Sequence, residues 1–226
     1  MIAVIALTDG RTNLLRRTIA SFDEQVSGNI VERFIYDDSG FPKNTALLRK
    51  QHPGWTVTGG NQREGFAGAV RACHDIIRQY STSDYVFHLE DDFTFNRPIN
   101  LDDLQDILEH RKSLAQVALL RQPWNDAEIA AGGVLELNPD GYTPYAGLNR
   151  NQDTVHWLEQ DRFFTTNPSL FRRELIEMFE WPAGSESEGR FSIEVTRAGF
   201  NFAYWGEMGD GPAVHHIGKH RQGVGY

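Results

Sequence analysis

Three consecutive acidic residues are the strongest candidates for chemistry in this chain. Glu90, Asp91 and Asp92 follow the apolar run Y-V-F-H-L at 85–89, which predicts a buried strand with the acids at its carboxyl-terminal tip. Open α/β sheets bind ligands in the crevice beyond these strand ends, and carboxylates suit hard divalent cations. The pattern indicates a metal ion beside an anionic ligand, or else a solvated acidic turn.

Two further polar segments follow predicted strands. Residues 8–11, T-D-G-R, come after the apolar run 2–7, and residues 37–40, D-D-S-G, come after the run 30–36. Because parallel strands end at the same edge of a sheet, all three polar segments should share one crevice. One acid can then accept hydrogen bonds from a ribose or a base, while another holds a metal that neutralises a diphosphate. Taken singly, Asp37 and Asp38 are also typical of a turn or a helix cap.

The segment 61–69, N-Q-R-E-G-F-A-G-A, precedes a long amphipathic helix pattern. Its glycines permit close backbone approach, and Arg63 can stack on or donate to a nucleobase or remain a solvated charge. The chain contains neither G-x-x-x-x-G-K-[ST] nor G-x-G-x-x-G, which argues against a P-loop ATPase and a dinucleotide-binding Rossmann protein. Cys73 falls on the apolar face of the helix and is predicted to be a core residue.

The C-terminal segment 214–221, V-H-H-I-G-K-H-R, concentrates histidine and basic residues in an acidic protein. An imidazole together with a carboxylate suits Mn²⁺ better than Mg²⁺, and Lys219 or Arg221 can clamp a phosphate. Side chains alternate along a strand, so only one of His215 and His216 can face the site.

Two glutamates, Glu186 and Glu188, stand immediately before a predicted helix. A carboxylate at this position commonly interacts with the helix dipole. The alternative is a general base held above the crevice.

The order of elements predicts one α/β domain. Strand and helix patterns alternate as β-α-β-α-β up to residue 89, which favours a mostly parallel sheet covered by helices on both faces. Beyond the acids, the patterns predict a helix at 101–111, a strand at 116–120, a strand at 131–137, a loop-rich stretch at 142–166, helices at 170–179 and 191–198, and a strand at 200–205.

Composition excludes several classes of protein. The 226 residues suit one domain with a real core, and 31 acids against 22 bases give a formal net charge of −9, which argues against a general nucleic-acid-binding surface. No apolar run is long enough to span a bilayer, and the chain starts directly in a strand pattern without a secretory signal. With a single cysteine, these features lead us to expect a cytoplasmic protein.

The motifs together resemble the GT-A glycosyltransferases, especially the inverting family with a V-D-D-G-S turn, an N-x-G-x-A-x-A-R-N helix entry and a D-x-D motif. The L-E-D-D form also resembles the E-D-D motif of N-acetylglucosaminyltransferase I. The resemblance implies a single GT-A (Rossmann-like) domain over 1–226, a nucleotide-sugar donor and metal-assisted departure of the nucleoside diphosphate. It divides the chain into a donor half, 1–120, and an acceptor half, 121–226, with a metal- and phosphate-binding tail. The matching segments are Y-D-D-S-G at 36–40, N-Q-R-E-G-F-A-G-A at 61–69 and L-E-D-D at 89–92.

The resemblance also implies a role for individual residues of the site. The metal ligands are Asp92 and His216, with His215 as the alternative. The family's E-D pair falls on Ser187-Glu188 ahead of A-G-F at 198–200, which makes Glu188 the expected base and Glu186 its competitor. Trp124, Trp157 and Asn167 mark the acceptor region. The donor-side candidates, including the two basic residues of the tail, are Thr8, Arg11, Asp37, Asp38, Arg63, Glu90, Asp91, Lys219 and Arg221.

We therefore expect a glycosyltransferase that uses Mn²⁺ or Mg²⁺ and inverts the anomeric carbon. The Q-x-x-R-W signature of processive synthases is missing, which favours one transfer per encounter. Two alternatives stay open. One is a sugar-nucleotide nucleotidyltransferase, and the other is a silent nucleotide- or glycan-binding module in which Trp124, Trp157 and Tyr145 stack on sugars.

Overall fold

A nine-stranded mixed sheet forms the centre of the protein, as seen in a computed structural model that describes residues 1–218. The strand order is β4-β3-β1-β5-β11-β8-β12-β10-β9, and every strand except β11 and β10 runs in the same direction. The expected α/β fold with a mostly parallel core is confirmed. The strands are β1 Ile2–Thr8, β2 Val26–Ser27, β3 Ile30–Asp37, β4 Thr56–Gly59, β5 Tyr85–Glu90, β6 Phe93–Phe95, β7 Ile99–Asn100, β8 Leu114–Ala118, β9 Thr143–Leu148, β10 Thr154–Gln160, β11 Ser169–Arg172, β12 Asn201–Trp205 and β13 Val214–His216.

Helices cover both faces of this sheet. Apolar residues of α1 and α4 pack on one face, and those of α3, α6 and α7 pack on the other. Cys73 lies in the second layer, where burial raises the pKa of its thiol, so its predicted core role is confirmed. Within residues 1–218, no helix is both long and apolar enough to cross a membrane. The helices are α1 Thr12–Gln25, α2 Pro42–Gln51, α3 Gly65–Tyr80, α4 Leu101–His110, α5 Asp126–Ala131, α6 Glu174–Met178 and α7 Ser187–Arg197.

The central strand β1 aligns the predicted polar segments. All its residues are buried, as expected for a strand covered on both faces. It pairs in parallel with β3 and β5, in a register that sets Thr8 opposite Asp37 and Leu7 opposite Glu90. The three polar segments therefore leave the sheet at one edge.

A small second sheet brings the end of the described chain to this edge. Strand β13 pairs antiparallel with β6, which directly follows the acidic motif, so that His216 lies opposite Phe93. Backbone hydrogen bonds from Ala213 N and Val214 N to Leu120 O, of 2.8 and 3.2 Å, fix β13 on its other side. The segment is thus attached to the motif by its backbone.

The predicted strand at 131–137 is wrong. In the structure α5 ends at Ala131, and residues 132–138 that follow form turns and bends. Asn125 caps the helix by accepting from Glu128 N at 2.9 Å, and Gly132 ends it with a left-handed φ of 98°. The sequence N-D-A-E at 125–128 is a capping-box pattern that overrides the apolar character of the residues after it.

Two other predicted segments also differ from the structure. The expected helix at 170–179 is split into β11 and the short α6, because β11 inserts antiparallel between β5 and β8. The expected loop-rich stretch at 142–166 contains the paired strands β9 and β10. In both segments, pairing with neighbouring strands of the sheet determines the secondary structure, because the preference of a residue for a strand depends on the strands beside it.

Candidate active site

A cleft of about 1260 Å³ opens at the carboxyl-terminal edge of the sheet. The amino-terminal turn of α3 forms one wall, and residues 184–189 at the start of α7 form another. The cleft brings together six of the residues predicted from the sequence, namely Glu90, Trp124, Asn167, Glu186, Glu188 and His216.

Arg11 ties the acidic motif to the turn after β1. Its Nη1 lies 2.7 Å from Asp92 Oδ2, its Nη2 contacts Asp91, and its Nε donates to Asp9 at 2.7 Å. Asp91 also accepts from the Thr8 hydroxyl at 2.6 Å. The two motif acids are 1% and 0% exposed, so Arg11 is their internal counter-ion.

The two acids differ in proton affinity. Burial raises the pKa of Asp91 to about 7, while Arg11 and the Thr8 hydroxyl act to lower it. Burial also opposes ionisation of Asp92, but the hydrogen bond from His216 and the charge of Arg11 outweigh it and lower the pKa of Asp92. Asp92 is therefore the carboxylate that stays charged over the wider pH range.

Asp92 and His216, the two predicted metal ligands, lie side by side, and residues 1–218 contain no group of three or more His, Cys, Asp or Glu side chains arranged to hold a metal ion. His216 Nε2 lies 3.2 Å from Asp92 Oδ2, and Asp92 Oδ1 is buried with no hydrogen-bond partner among the described residues. An unpartnered buried carboxylate oxygen is costly unless a ligand completes it. A carboxylate with an imidazole is chemically compatible with Mn²⁺.

His216, rather than His215, faces Asp92, in agreement with strand alternation. Gln122 fixes its backbone through two hydrogen bonds, donating to His216 O at 2.8 Å and accepting from His216 N at 2.9 Å. The imidazole packs against Phe93 and edge-on to Trp124, with ring centroids 4.8 and 4.0 Å away. The predicted phosphate contacts Lys219 and Arg221 lie outside the described residues.

The turn after β3 uses its acids internally. Asp37 is fully buried and accepts from Ser39 N, Asn44 Nδ2 and Thr45 Oγ1 at 3.1, 3.0 and 2.7 Å. These contacts join the end of β3 to α2. The donor-binding role of Asp37 stays a prediction.

Asp38 caps α3 from the neighbouring turn. It accepts from Glu64 N at 2.7 Å and from Gly65 N at 3.0 Å. Burial raises the pKa of Asp38, although these two donors act against the shift. Arg63 is half-exposed and donates to Asp9 at 2.7 Å, which places its guanidinium next to the Arg11 network.

The predicted base, Glu188, is oriented by the segment that precedes β11. Its Oε1 accepts from Thr166 N at 2.6 Å and from the Thr166 hydroxyl at 3.1 Å. Glu186 lies two residues earlier in a left-handed conformation, with φ of 56°, and is exposed. Both line the cleft, but only Glu188 has a side chain oriented by hydrogen bonds among the described residues.

The acceptor-region residues separate into two groups. Asn167 and the 43% exposed Trp124 line the cleft. Trp157 does not, and its prediction as a stacking surface is wrong: it is 3% exposed, and its indole donates to Glu159 at 2.9 Å. Strand β10 lies inside the sheet between β12 and β9, which buries this ring. Tyr145 on β9 stacks against it at 5.9 Å.

Comparison with known proteins was made by sequence and by structure. The sequence matches no family model and no curated protein. Its structure matches that of GalNAc-T7, crystallised with UDP, GalNAc and Mn²⁺, at a TM-score of 0.64 and 12% identity, covering 96% of this chain and 43% of that one. It also matches TarS from S. aureus in complex with UDP at a TM-score of 0.62 and 13% identity, covering 95% and 59% of the two chains.

This protein has the GT-A fold.

A second type of enzyme also matches. CMP:2-keto-3-deoxy-manno-octonic acid synthetase, complexed with CTP, has a TM-score of 0.52 and 16% identity, with 90% of this chain and 88% of that chain covered. The present chain spans only about two fifths to three fifths of the length of the two glycosyltransferases. At identities this low, the structural similarity establishes the GT-A fold alone, and the activity has to be inferred from the residues of the site.

Several residues that shape this GT-A cleft were missed in the sequence. Arg121 and Glu128 form a two-pronged ion pair, with contacts of 2.7 and 3.0 Å, and Glu128 also accepts from Trp124 N at 2.7 Å. The capping-box spacing would have indicated this loop-helix junction. Gln122 carries no local signal, since its partner lies 94 residues away. The segment T-T-N-P-S-L-F-R-R at 165–173 resembles the acceptor side of related enzymes, but the contact of Thr166 with Glu188, 22 residues away, has no local signal.

Proposed function

We propose that this protein is a metal-dependent, non-processive glycosyltransferase. It moves a sugar from a nucleoside-diphosphate sugar to an acceptor hydroxyl with inversion. The observation that carries the proposal is the cleft of this GT-A fold. Its lining includes Glu188, His216 and Glu90, the first acid of the acidic motif. The structural matches to enzymes crystallised with UDP, one of them also with Mn²⁺, support the same reading.

Asp92 and His216 are the residues that would hold Mn²⁺ or Mg²⁺. When bound, the ion acts as a Lewis acid that stabilises the charge developing on the departing diphosphate. Arg11 orients Asp92 through a 2.7 Å contact and partly neutralises the buried acids. The nucleotide side is assigned to the edge residues Thr8, Arg11, Asp37, Asp38, Arg63, Glu90 and Asp91, with Lys219 and Arg221 as phosphate contacts.

Glu188 supplies the base. Its carboxylate takes the proton of the acceptor hydroxyl while that oxygen forms a bond to the anomeric carbon. The bond from the anomeric carbon to the diphosphate oxygen breaks in the same step, and its electron pair leaves with the nucleoside diphosphate. A single displacement of this kind inverts the anomeric carbon. We assign acceptor contacts to Trp124 and Asn167, which line the same cleft.

The proposal is tested by measuring nucleoside diphosphate release. The protein is incubated with Mn²⁺, a panel of UDP, GDP, dTDP and CDP sugars, and an acceptor mixture of free sugars, lipid-linked sugars and hydroxyl-bearing peptides. We expect release with one donor class and loss of release with a chelator. Glu188→Gln should retain donor binding and lower turnover by about 10²–10⁴-fold.

Glu186→Gln is the matched comparison. Loss of turnover there, with Glu188→Gln unaffected, would move the base to Glu186. Equal nucleotide affinity with Mn²⁺ and with chelator, unchanged in Asp92→Ala, would refute the metal site.

A nucleotidyltransferase is the second candidate, favoured by the synthetase match over nearly its whole length. It predicts pyrophosphate release from CTP and a sugar acid, with no diphosphate release from nucleotide sugars. A binding module would release neither product.

A further inference from the structure

We propose that Thr166 is a positioning residue that orients the Glu188 carboxylate toward the acceptor, and that Gln116 fixes Thr166 in place. The inference rests on the proposed function, because it assigns a role to the base of that reaction. It adds two residues that neither the motifs nor the structural matches indicate.

Thr166 holds one oxygen of Glu188 from two sides. The backbone N–H and the hydroxyl both donate to Oε1, at 2.6 and 3.1 Å. No described residue donates to Oε2. Hydrogen bonds to a charged acceptor are the stronger kind, so Thr166 fixes the carboxylate plane and leaves Oε2 as the oxygen available to an acceptor proton.

The segment that carries Thr166 is itself rigid. Gln116 on β8 is 1% exposed and accepts from Thr165 N at 3.0 Å. Its amide nitrogen donates to Thr165 O at 2.6 Å and to Ser169 Oγ at 2.8 Å. The Gln116 side chain therefore pairs with the backbone of Thr165 and anchors the loop to the sheet.

A second link fixes the helix that carries Glu188. Ser192 Oγ accepts from Phe164 N and donates to Glu188 O, both at 2.8 Å. The loop at 164–166 is therefore joined to α7 twice, through the Glu188 carboxylate and through Ser192. A base held in one geometry avoids the entropy loss of orienting it during the reaction.

The test is a double-mutant cycle between Thr166 and Glu188. Thr166→Val keeps the size and the backbone N–H but removes the hydroxyl. Because the backbone N–H of residue 166 still donates to Glu188 Oε1, we expect loss of the hydroxyl to lower kcat by about tenfold, with the donor KM unchanged. Thr166→Ser restores the hydroxyl and should recover most of the rate.

The decisive arm repeats Thr166→Val in the Glu188→Gln background. If Thr166 acts through Glu188, the second substitution has no further effect on kcat. An equal tenfold loss in both backgrounds would overturn the proposal, as would an unchanged kcat in the single variant. Thr196→Val, the same change farther along α7 and away from the cleft, is the control, and thermal denaturation of each variant monitors the fold.

The proposed function and the positioning role of Thr166 would be refuted by different results. No product from any nucleotide sugar with wild-type protein would refute the proposed function and this inference together. Full turnover in Glu188→Gln would refute the assignment of the base and with it the positioning role of Thr166, while the transfer reaction itself would stand. Loss in Glu188→Gln without an effect of Thr166→Val would leave the function standing and overturn the positioning role.

Discussion

Replacing Arg11 with methionine removes a guanidinium that contacts three carboxylates while keeping most of the apolar stem. In the wild-type protein it touches Asp9, Asp91 and Asp92, and the last two are 1% and 0% exposed. The variant leaves two buried acids without this cation. Among residues 1–218, the remaining side-chain partners of Asp91 and Asp92 are the Thr8 hydroxyl and His216.

The expected loss follows from the burial of these acids. Removing one partner of a buried ion pair costs about 3–5 kcal/mol. Because Thr8 and His216 retain contacts to Asp91 and Asp92, we take the lower end, about 3 kcal/mol. In a chain of this size, 1 kcal/mol corresponds to about 2–4 °C in Tm, so the midpoint should fall by about 6–12 °C.

Thermal and urea unfolding measure this difference directly. The matched control is Arg63→Met, which removes a guanidinium 2.7 Å from the same Asp9 but from a side chain that is 47% exposed. Exposed pairs contribute about 0–1 kcal/mol, so its Tm should change by less than about 4 °C. A loss in Arg11→Met no larger than in Arg63→Met would show that Arg11 is not the counter-ion of the buried acids.

Two further predictions concern the tail and the buried histidines. A Cβ on Gly218 would lie 2.2 Å from Asp92 Oδ2, whereas one on Gly211 meets nothing within 4 Å. Gly218→Ala should therefore weaken Mn²⁺ binding by at least about tenfold, measured by calorimetry, with Gly211→Ala as the control. Equal Mn²⁺ affinity in the two variants would contradict the Asp92 site. Burial lowers the pKa of His74 to about 3 and that of His88 to about 4. Each imidazole is therefore neutral in the folded protein but binds a proton below about pH 6.5 in the unfolded chain. The stability that each contributes above that pH is lost as the pH falls. Carboxyl groups with a raised pKa change stability in the opposite direction, so urea unfolding of His74→Phe is compared with that of the wild-type protein. Between pH 7.5 and 5 the free energy of unfolding of the variant should fall by about 2 kcal/mol less than that of wild type. An identical pH dependence would refute the lowered pKa of His74.

The edge of the sheet was predictable because its signals are local. The apolar run that ends at Glu90 needs no tertiary information, and parallel pairing with β1 then fixes where the acids lie. Strand alternation showed that only one of His215 and His216 could face the site. Which one does so depends on pairing with Phe93, and that register is set by a contact more than a hundred residues distant in sequence.

The contacts that hold the other side of the cleft together were not predictable, because they join residues distant in sequence. Thr166 lies in a segment with weak periodicity, and its role arises from Glu188 and from Gln116 on a different strand. Trp157 has the residue type of a sugar-stacking surface, but the position of β10 inside the sheet buries it. Residue type indicates what a side chain can do, whereas topology decides whether it reaches the cleft.

The energetics of the acidic motif argue for a ligand independently of any structural match. Burying Asp91 and Asp92 costs free energy that Arg11 offsets only in part, since Asp92 Oδ1 has no partner among the described residues. Amides or apolar residues would be more stable at these positions if folding were the only requirement, and departures of this kind concentrate at functional sites. A cation that binds the folded state alone would complete that oxygen and raise the free energy of unfolding. Mn²⁺ should therefore raise Tm in the wild-type protein and not in Asp92→Asn, and an equal shift in both would place the ion elsewhere.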